Sequence, residues 1–148
     1  MNRGVPGIRQ AKARDIDAMH RIRMSVRENR LVSTVLSPAR YLEYLEIRGC
    51  GWVSEMDKAI VAFAVADSLD GCLWALFVDP EHEREGHGRR LHDAAVAWLF
   101  EQGHDRIWLT TSPGTRAEGF YRKSGWVVGG DAPDGEIRLE LARSSRSE

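Results

Sequence analysis

Cysteine is scarce in this 148-residue chain. Two thiols, Cys50 and Cys72, are too few for a disulfide framework and are read as reduced and partly buried. Long hydrophobic runs are also missing. A stretch such as Ile60–Ala66 falls far short of the roughly 20 residues that a membrane-spanning helix needs. The segment Met1–Gly7 carries one arginine and no apolar core, which is unlike a signal peptide. Neither charge sign is in excess: 21 Lys and Arg against 22 Asp and Glu leave a net charge of −1. That lacks the basic balance of a nucleic-acid-binding module. These absences predict a cytoplasmic protein with no membrane or nucleic-acid partner, folded as one domain over residues 1–148 with frayed ends at 1–4 and 143–148. Hydrophobic residues at 43% and charged residues at 29% are ordinary for a globular domain. A chain of this length buries roughly 70% of its unfolded surface, enough for a core without disulfides or metal.

Local patterns predict a mixed order of elements. A strand is expected at Ile8–Ala11, then a helix capped by Asp15 and running to about Glu28. Ser37-Pro38 opens a second helix, with a capping hydroxyl followed by a proline where no N–H is needed. That helix ends near Gly49. Strand-length apolar segments follow at Gly51–Glu55, Ala59–Asp67 and Cys72–Val78, separated by turn chemistry. The last of these is almost wholly apolar, as in a central strand covered on both faces. A helix from Gly88 to Gln102, a strand at Arg106–Thr111 and a short helix opened by Thr115 come next. In that helix Thr115 and Glu118 form a capping-box pattern. Two closing strands begin at Trp126 and Ile137. The order predicts an α+β fold: a mixed, mostly antiparallel sheet of about seven strands with helices on both faces.

The stretch Phe77-Val78-Asp79-Pro80-Glu81-His82-Glu83-Arg84-Glu85-Gly86-His87-Gly88-Arg89-Arg90-Leu91 joins the apolar strand to an amphipathic helix. Two glycines at a helix start let a ligand approach the backbone, and the free amides and helix dipole there favour an anion such as a pyrophosphate. Arg89 and Arg90 add positive charge. A dinucleotide fingerprint would need a third glycine where Leu91 stands, and no Gly-Lys-Ser/Thr of a nucleotide P-loop occurs. His82, His87 and His92 are spaced five apart. On a helix they would not share a face, so no metal is expected. On spacing alone, an ordinary solvated loop remains the alternative.

Two motifs carry a resemblance. Leu76-Phe-Val-Asp-Pro-Glu through Glu85-Gly-His-Gly-Arg-Arg-Leu91 is similar to the strand, Val-x-Pro-Glu turn and Arg/Gln-x-x-Gly-x-Gly/Ala loop of the GNAT superfamily of acyl-CoA N-acyltransferases. Arg116-Ala-Glu-Gly-Phe-Tyr-Arg-Lys-Ser-Gly-Trp126 is similar to that family's Arg-Ala-x-x-Phe-Tyr-x-x-x-Gly-Phe. One helix and one strand separate them, in the family's order, and the resemblance covers about residues 5–141. It implies acetyl-CoA as co-substrate. The backbone of Phe77 and Val78 would pair with the pantetheine arm, with the Val78 amide facing the thioester carbonyl. The amides of Arg84, Glu85, Gly86, His87, Gly88 and Arg89 would hold the pyrophosphate. Two positions depart from the pattern: Glu83 replaces a Gln or Arg, and Thr115, expected to touch the cofactor, replaces an Asn.

The implied activity is direct attack of a primary amine, from a small molecule or peptide, on the thioester in a ternary complex. A lysine-like amine has a pKa near 10.4 and attacks only when neutral, so a base or water chain is required. Tyr121 matches the family's tyrosine beside the CoA sulfur and is the expected acid. The segment Cys72–Val78 carries no acidic residue; Glu28, at the end of the first helix, is the candidate base, with Asp67, Asp79, His104 or water alone as alternatives. The same absence, with Glu83, motivates the alternative of a non-catalytic acyl-CoA sensor of the same fold. The five tryptophans are assigned to the core, with lining of the acceptor pocket as the alternative for Trp74. Homodimers are common in the family, so a second copy is a candidate partner.

Overall fold

The computed structural model describes residues 7–26 and 37–143. Seven strands form one sheet: β1 (Gly7–Gln10), β2 (Gly49–Met56), β3 (Ala59–Asp67), β4 (Cys72–Val78), β5 (Arg106–Thr111), β6 (Val127–Asp131) and β7 (Ile137–Ala142). Their spatial order is β1-β2-β3-β4-β5-β7-β6. Every neighbouring pair is antiparallel except β4 and β5, which run parallel. The helices are α1 (Ile16–Ser25), α2 (Pro38–Glu43, continued by a wider turn over Tyr44–Arg48), α3 (His87–Glu101) and α4 (Arg116–Lys123). The expected α+β fold is the observed one.

The sheet has a core on each face. On one side Leu91, Ala95 and Leu99 of α3 and Tyr121 of α4 pack with Ala62, Ala64, Leu73, Ile107, Leu109, Trp126 and Leu139. On the other, Ile16, Met19 and Ile22 of α1 and Tyr41 of α2 pack with Val53, Phe63, Val65 and Ala75. Strand β4 belongs to both, as its continuous apolar sequence requires. It also carries one extra residue: Val65 pairs with Ala75 and Ala66 with Leu73, so Trp74 sits in a bulge. The bulge shifts the side-chain alternation. Leu76 and Val78 join the α3 side, while Trp74 and Phe77 join the α1 side.

Several local expectations need correction. Asp15 does not cap α1 with its side chain. It ends a short 3-10 turn over Ala13–Asp15, and its carboxylate reaches back to the Lys12 amide at 2.8 Å. Arg9 holds both of its oxygens at 2.9 Å and contacts Glu55 at 3.1 Å. Helix α1 stops at Ser25 rather than Glu28. Val26 is extended, and the Ser25 hydroxyl donates to the Ile22 carbonyl, a local bond that competes with continuing the helix. Ser37 does cap α2, accepting from the Arg40 amide. Thr115 caps α4 through the Glu118 amide, but Glu118 returns to the Gly114 amide rather than to that of Thr115. Glu28, and the ends at 1–4 and 144–148, lie outside the described residues.

Gly49 starts β2 because no side chain fits there: a Cβ would lie 1.7 Å from the Ala66 carbonyl oxygen. Asp15 is the more informative anchor. Its carboxylate is 4% exposed, and the Arg9 guanidinium holds its pKa below the usual carboxylate value. A lowered folded-state pKa means that the unfolded chain binds more protons. This stabilisation is complete above the unfolded value of about 3.9 and is lost as pH falls through the folded value. Replacing Arg9 by Met leaves a buried carboxylate without its partner. Denaturant unfolding at pH 7 is expected to show a loss of about 3 kcal/mol, and Asp15→Asn should flatten the acid limb of stability against pH.

Candidate active site

Parallel strands β4 and β5 are tied at one end. Cys72 opposite Trp108 is their one register pair among the described residues, reinforced by the Trp108 amide donating to the Gly71 carbonyl at 3.0 Å and the Trp108 indole to the Asp70 carbonyl at 2.9 Å. From that anchor the strands part toward Val78 and Thr111. The Asp79 amide donates to the Val61 carbonyl on β3. Backbone groups alternate sides along a strand, so those of Phe77 face β3 and those of Val78 face the split. The C-terminal half of β4 thus offers an unpaired edge inside the sheet.

Helix α3 starts directly beyond this edge. Gly86 is its N-cap at φ +90°, it supplies no capping side chain, and no acid lies in the first turn. The Arg90 amide makes the first helical bond, to the Gly86 carbonyl at 3.1 Å. The amides of His87, Gly88 and Arg89 therefore lack intrahelical partners, as at any helix start. Arg90 is fixed by a 3.0 Å bond to the Glu85 carbonyl, and Arg89 lies over the Phe120 ring at 5.1 Å. Arg84 adopts the left-handed conformation at φ +68°, which turns the loop into the helix. These features make an anion cradle.

Two of the loop's three glutamates, Glu83 and Glu85, are diverted from it. Glu83 is paired with Arg116, which stands at the start of α4 across the split. Glu85 accepts from His82 Nδ1 at 3.1 Å and from His87 Nε2 at 3.0 Å, and these bonds hold its carboxyl below its usual value. His87 is fully buried, with Nδ1 2.8 Å from Ser54 Oγ. Its imidazole is thus committed inward, and only its amide is available to a ligand in the cradle. His82 and His87 converge because residues 83–86 are not helical, a geometry that the five-residue spacing concealed.

Tyr121 of α4 lies in the core on the α3 side of the sheet, 7% exposed and ringed by His92, Phe120 and Trp126. Burial raises its pKa, so the phenol stays protonated at neutral pH. Among the described residues none hydrogen-bonds its hydroxyl, and none leaves a fully buried polar side-chain atom unpartnered. The hydroxyl is therefore not fully enclosed and has no partner to give up before donating to a ligand. Its neighbour His92 is fixed as a neutral group. The Trp126 indole donates to His92 Nε2 at 3.0 Å, and Nδ1 donates to Asp93 at 2.9 Å. Burial lowers the His92 pKa further.

On the opposite face, Trp74 stacks on Tyr44 with ring centroids 3.8 Å apart and meets Tyr41 edge-on. The buried Arg23 guanidinium lies 5.9 Å from the Trp74 ring and 5.1 Å from that of Phe77. Burial penalises its charge, which Tyr41 and Glu136 partly offset. Glu136 accepts from the Ser112 hydroxyl at 3.1 Å, just past the end of β5. This carboxylate escaped sequence reasoning because it sits in a turn with no motif around it. Pairing of β7 with β5 places it at the open end of the split.

The chain belongs to the GNAT acetyltransferase family, whose model matches residues 15–126. Acetyl transfer is that family's general activity. Among solved structures, Ard1 from Thermoplasma volcanium is similar over 95% of this chain and 99% of its own (20% identity, TM-score 0.77). The PaiA N-acetyltransferase of Thermoplasma acidophilum, in complex with coenzyme A, matches over 94% and 99% (14% identity, TM-score 0.78). The ribosomal-protein-S18-alanine N-acetyltransferase of Escherichia coli matches over 97% of each chain (19% identity, TM-score 0.75). At these identities the likeness is one of fold. No curated protein sequence matches the chain at a significant level.

The two glycines differ in what they tolerate. A Cβ at Gly86 would impose a left-handed conformation on a residue with a side chain and press within 3.0 Å of the Arg90 guanidinium, whereas one at Gly88 meets only Val78 Cγ2 at 3.6 Å. Gly86→Ala is expected to lose about 1–2 kcal/mol in denaturant unfolding. Gly88→Ala should stay within about 1 kcal/mol of the wild type.

Proposed function

We propose that this protein transfers an acetyl group from acetyl-CoA to a primary amine by direct attack in a ternary complex. The observation that carries the reading is the split between β4 and β5, with the uncapped start of α3 at its mouth. The pyrophosphate would sit on the amides of Arg84, Glu85, Gly86, His87, Gly88 and Arg89. The pantetheine arm would extend the sheet along β4. There the Val78 amide faces the split and is the natural donor to the thioester carbonyl, while Phe77 shapes the channel with its ring. Thr115, whose side chain caps α4, would approach the cofactor from the other wall.

In the reaction a neutral amine attacks the thioester carbon, the tetrahedral oxyanion is held by the Val78 amide, and collapse expels the CoA thiolate. Tyr121 donates a hydrogen bond to the departing sulfur. Its raised pKa suits that role, since it keeps the proton available while the negative charge develops. The proton lost by the amine leaves through water to a carboxylate at the acceptor end. Glu28 and Glu136 are the two candidates. Glu136 has the firmer support, because Ser112 orients it at the open end of the split.

The direct test is amine-dependent release of CoA, alongside calorimetric binding of acetyl-CoA. Gly88→Glu should retain its melting temperature and lose binding, because a carboxylate then occupies the anion cradle. Tyr121→Phe should bind acetyl-CoA normally and lose about 100-fold in kcat. Tight binding with no turnover on peptides, polyamines or aminoglycosides would instead indicate a sensor of acyl-CoA.

Assignment of the base follows from two variants. Glu136→Gln is expected to lower kcat by about 100-fold near neutral pH while Glu28→Gln has little effect. The reverse pattern would transfer the role to Glu28.

A further inference from the structure

The β4–α3 loop brings together three donors that the sequence spacing appeared to separate. His82 Nδ1, Glu85 Oε1 and His87 Nε2 all lie within 4.8 Å of one another. Two of the three spacings are 3.1 and 3.0 Å. Donors around a tetrahedral zinc at bond lengths of roughly 2.0–2.1 Å stand about 3.4 Å apart, so small side-chain shifts would open this triangle to the size of an ion. Two imidazoles and one carboxylate form a donor set typical of Zn2+ and neighbouring first-row divalent ions, and a poor one for Mg2+ or Ca2+.

The surroundings support ligation. His87 is fully buried, and its other ring nitrogen is 2.8 Å from Ser54 Oγ, the kind of outer contact that fixes a ligating imidazole. With Nε2 on a metal, the ring proton resides on Nδ1 and is donated to the Ser54 oxygen. His87 thus changes tautomer and loses no proton overall. His82 and Glu85 are partly exposed, so the ion has a route in from solvent. A fourth position stays open to water.

We infer that His82, Glu85 and His87 form a binding site for a transition-metal dication of the Zn2+ class. The ion would tie both ends of the loop that leads into α3. The inference stands independently of the acetyl-transfer reading, since it is read by metal binding alone.

The experiment is calorimetric titration of the full chain with Zn2+, with Co2+ absorption as a second readout and Mg2+ as the control. One Zn2+ per chain, a raised melting temperature, and a four-coordinate Co2+ spectrum are expected, with no response to Mg2+. His82→Ala and Glu85→Gln should each weaken Zn2+ binding by at least about tenfold. Both positions are partly exposed, and circular dichroism is the check that each variant is folded. Absence of Zn2+ binding, or binding that both folded variants retain at wild-type strength, would overturn the assignment. The second outcome would place the ion on the other histidines.

Discussion

Strands β4 and β5 are parallel neighbours joined at Cys72 and Trp108, and their parting beyond that point determines the rest of the site. An antiparallel partner on that edge would have taken up the backbone groups of Val78 in an ordinary ladder. A parallel strand anchored only at its start leaves them facing an opening instead. The remainder of the molecule holds this opening in place. Strand β3 pairs with β4 along its full length, α3 and α4 pack one face, and α1 and α2 cover the other. The bulge at Trp74 apportions the side chains, sending Leu76 and Val78 toward α3 and Phe77 toward Arg23.

Electrostatics at the mouth follow the same economy. A glutamate in place of the family's usual Gln or Arg at position 83 sets a carboxylate beside a site built for an anion. Arg116 answers it from the first turn of α4. Glu85 is likewise held by two imidazoles rather than left to cap α3, which keeps the amides of His87, Gly88 and Arg89 free. Of the three acids in Glu81–Glu85, the two nearest the helix start are paired, and an anion arriving there meets free amides and the guanidinium groups of Arg89 and Arg90.

Much of this was legible in the sequence. The bounds of β3, β4 and β5 follow from apolar runs closed by turn residues, and Ser37-Pro38 and Thr115 are helix starts with a visible mechanism. The Phe-Tyr pair placed Tyr121 on α4. What the sequence concealed were contacts between distant segments. Asp15 has the composition of a helix cap, but Arg9 and the Lys12 amide compete for its carboxylate and win. Spacing rules assume one regular element, and so they separated His82 from His87 across a loop that folds them together. Glu136 was invisible because its position at the split depends on β7 pairing with β5 across the chain.

The account rests on the unpaired edge of β4 and the start of α3 being where acetyl-CoA binds. Amide hydrogen exchange with and without saturating acetyl-CoA examines this directly. Slowed exchange is predicted at Val78 and across residues 84–89, with β1 and β2 unchanged. Tight binding that leaves these amides exchanging at their free rates would contradict it.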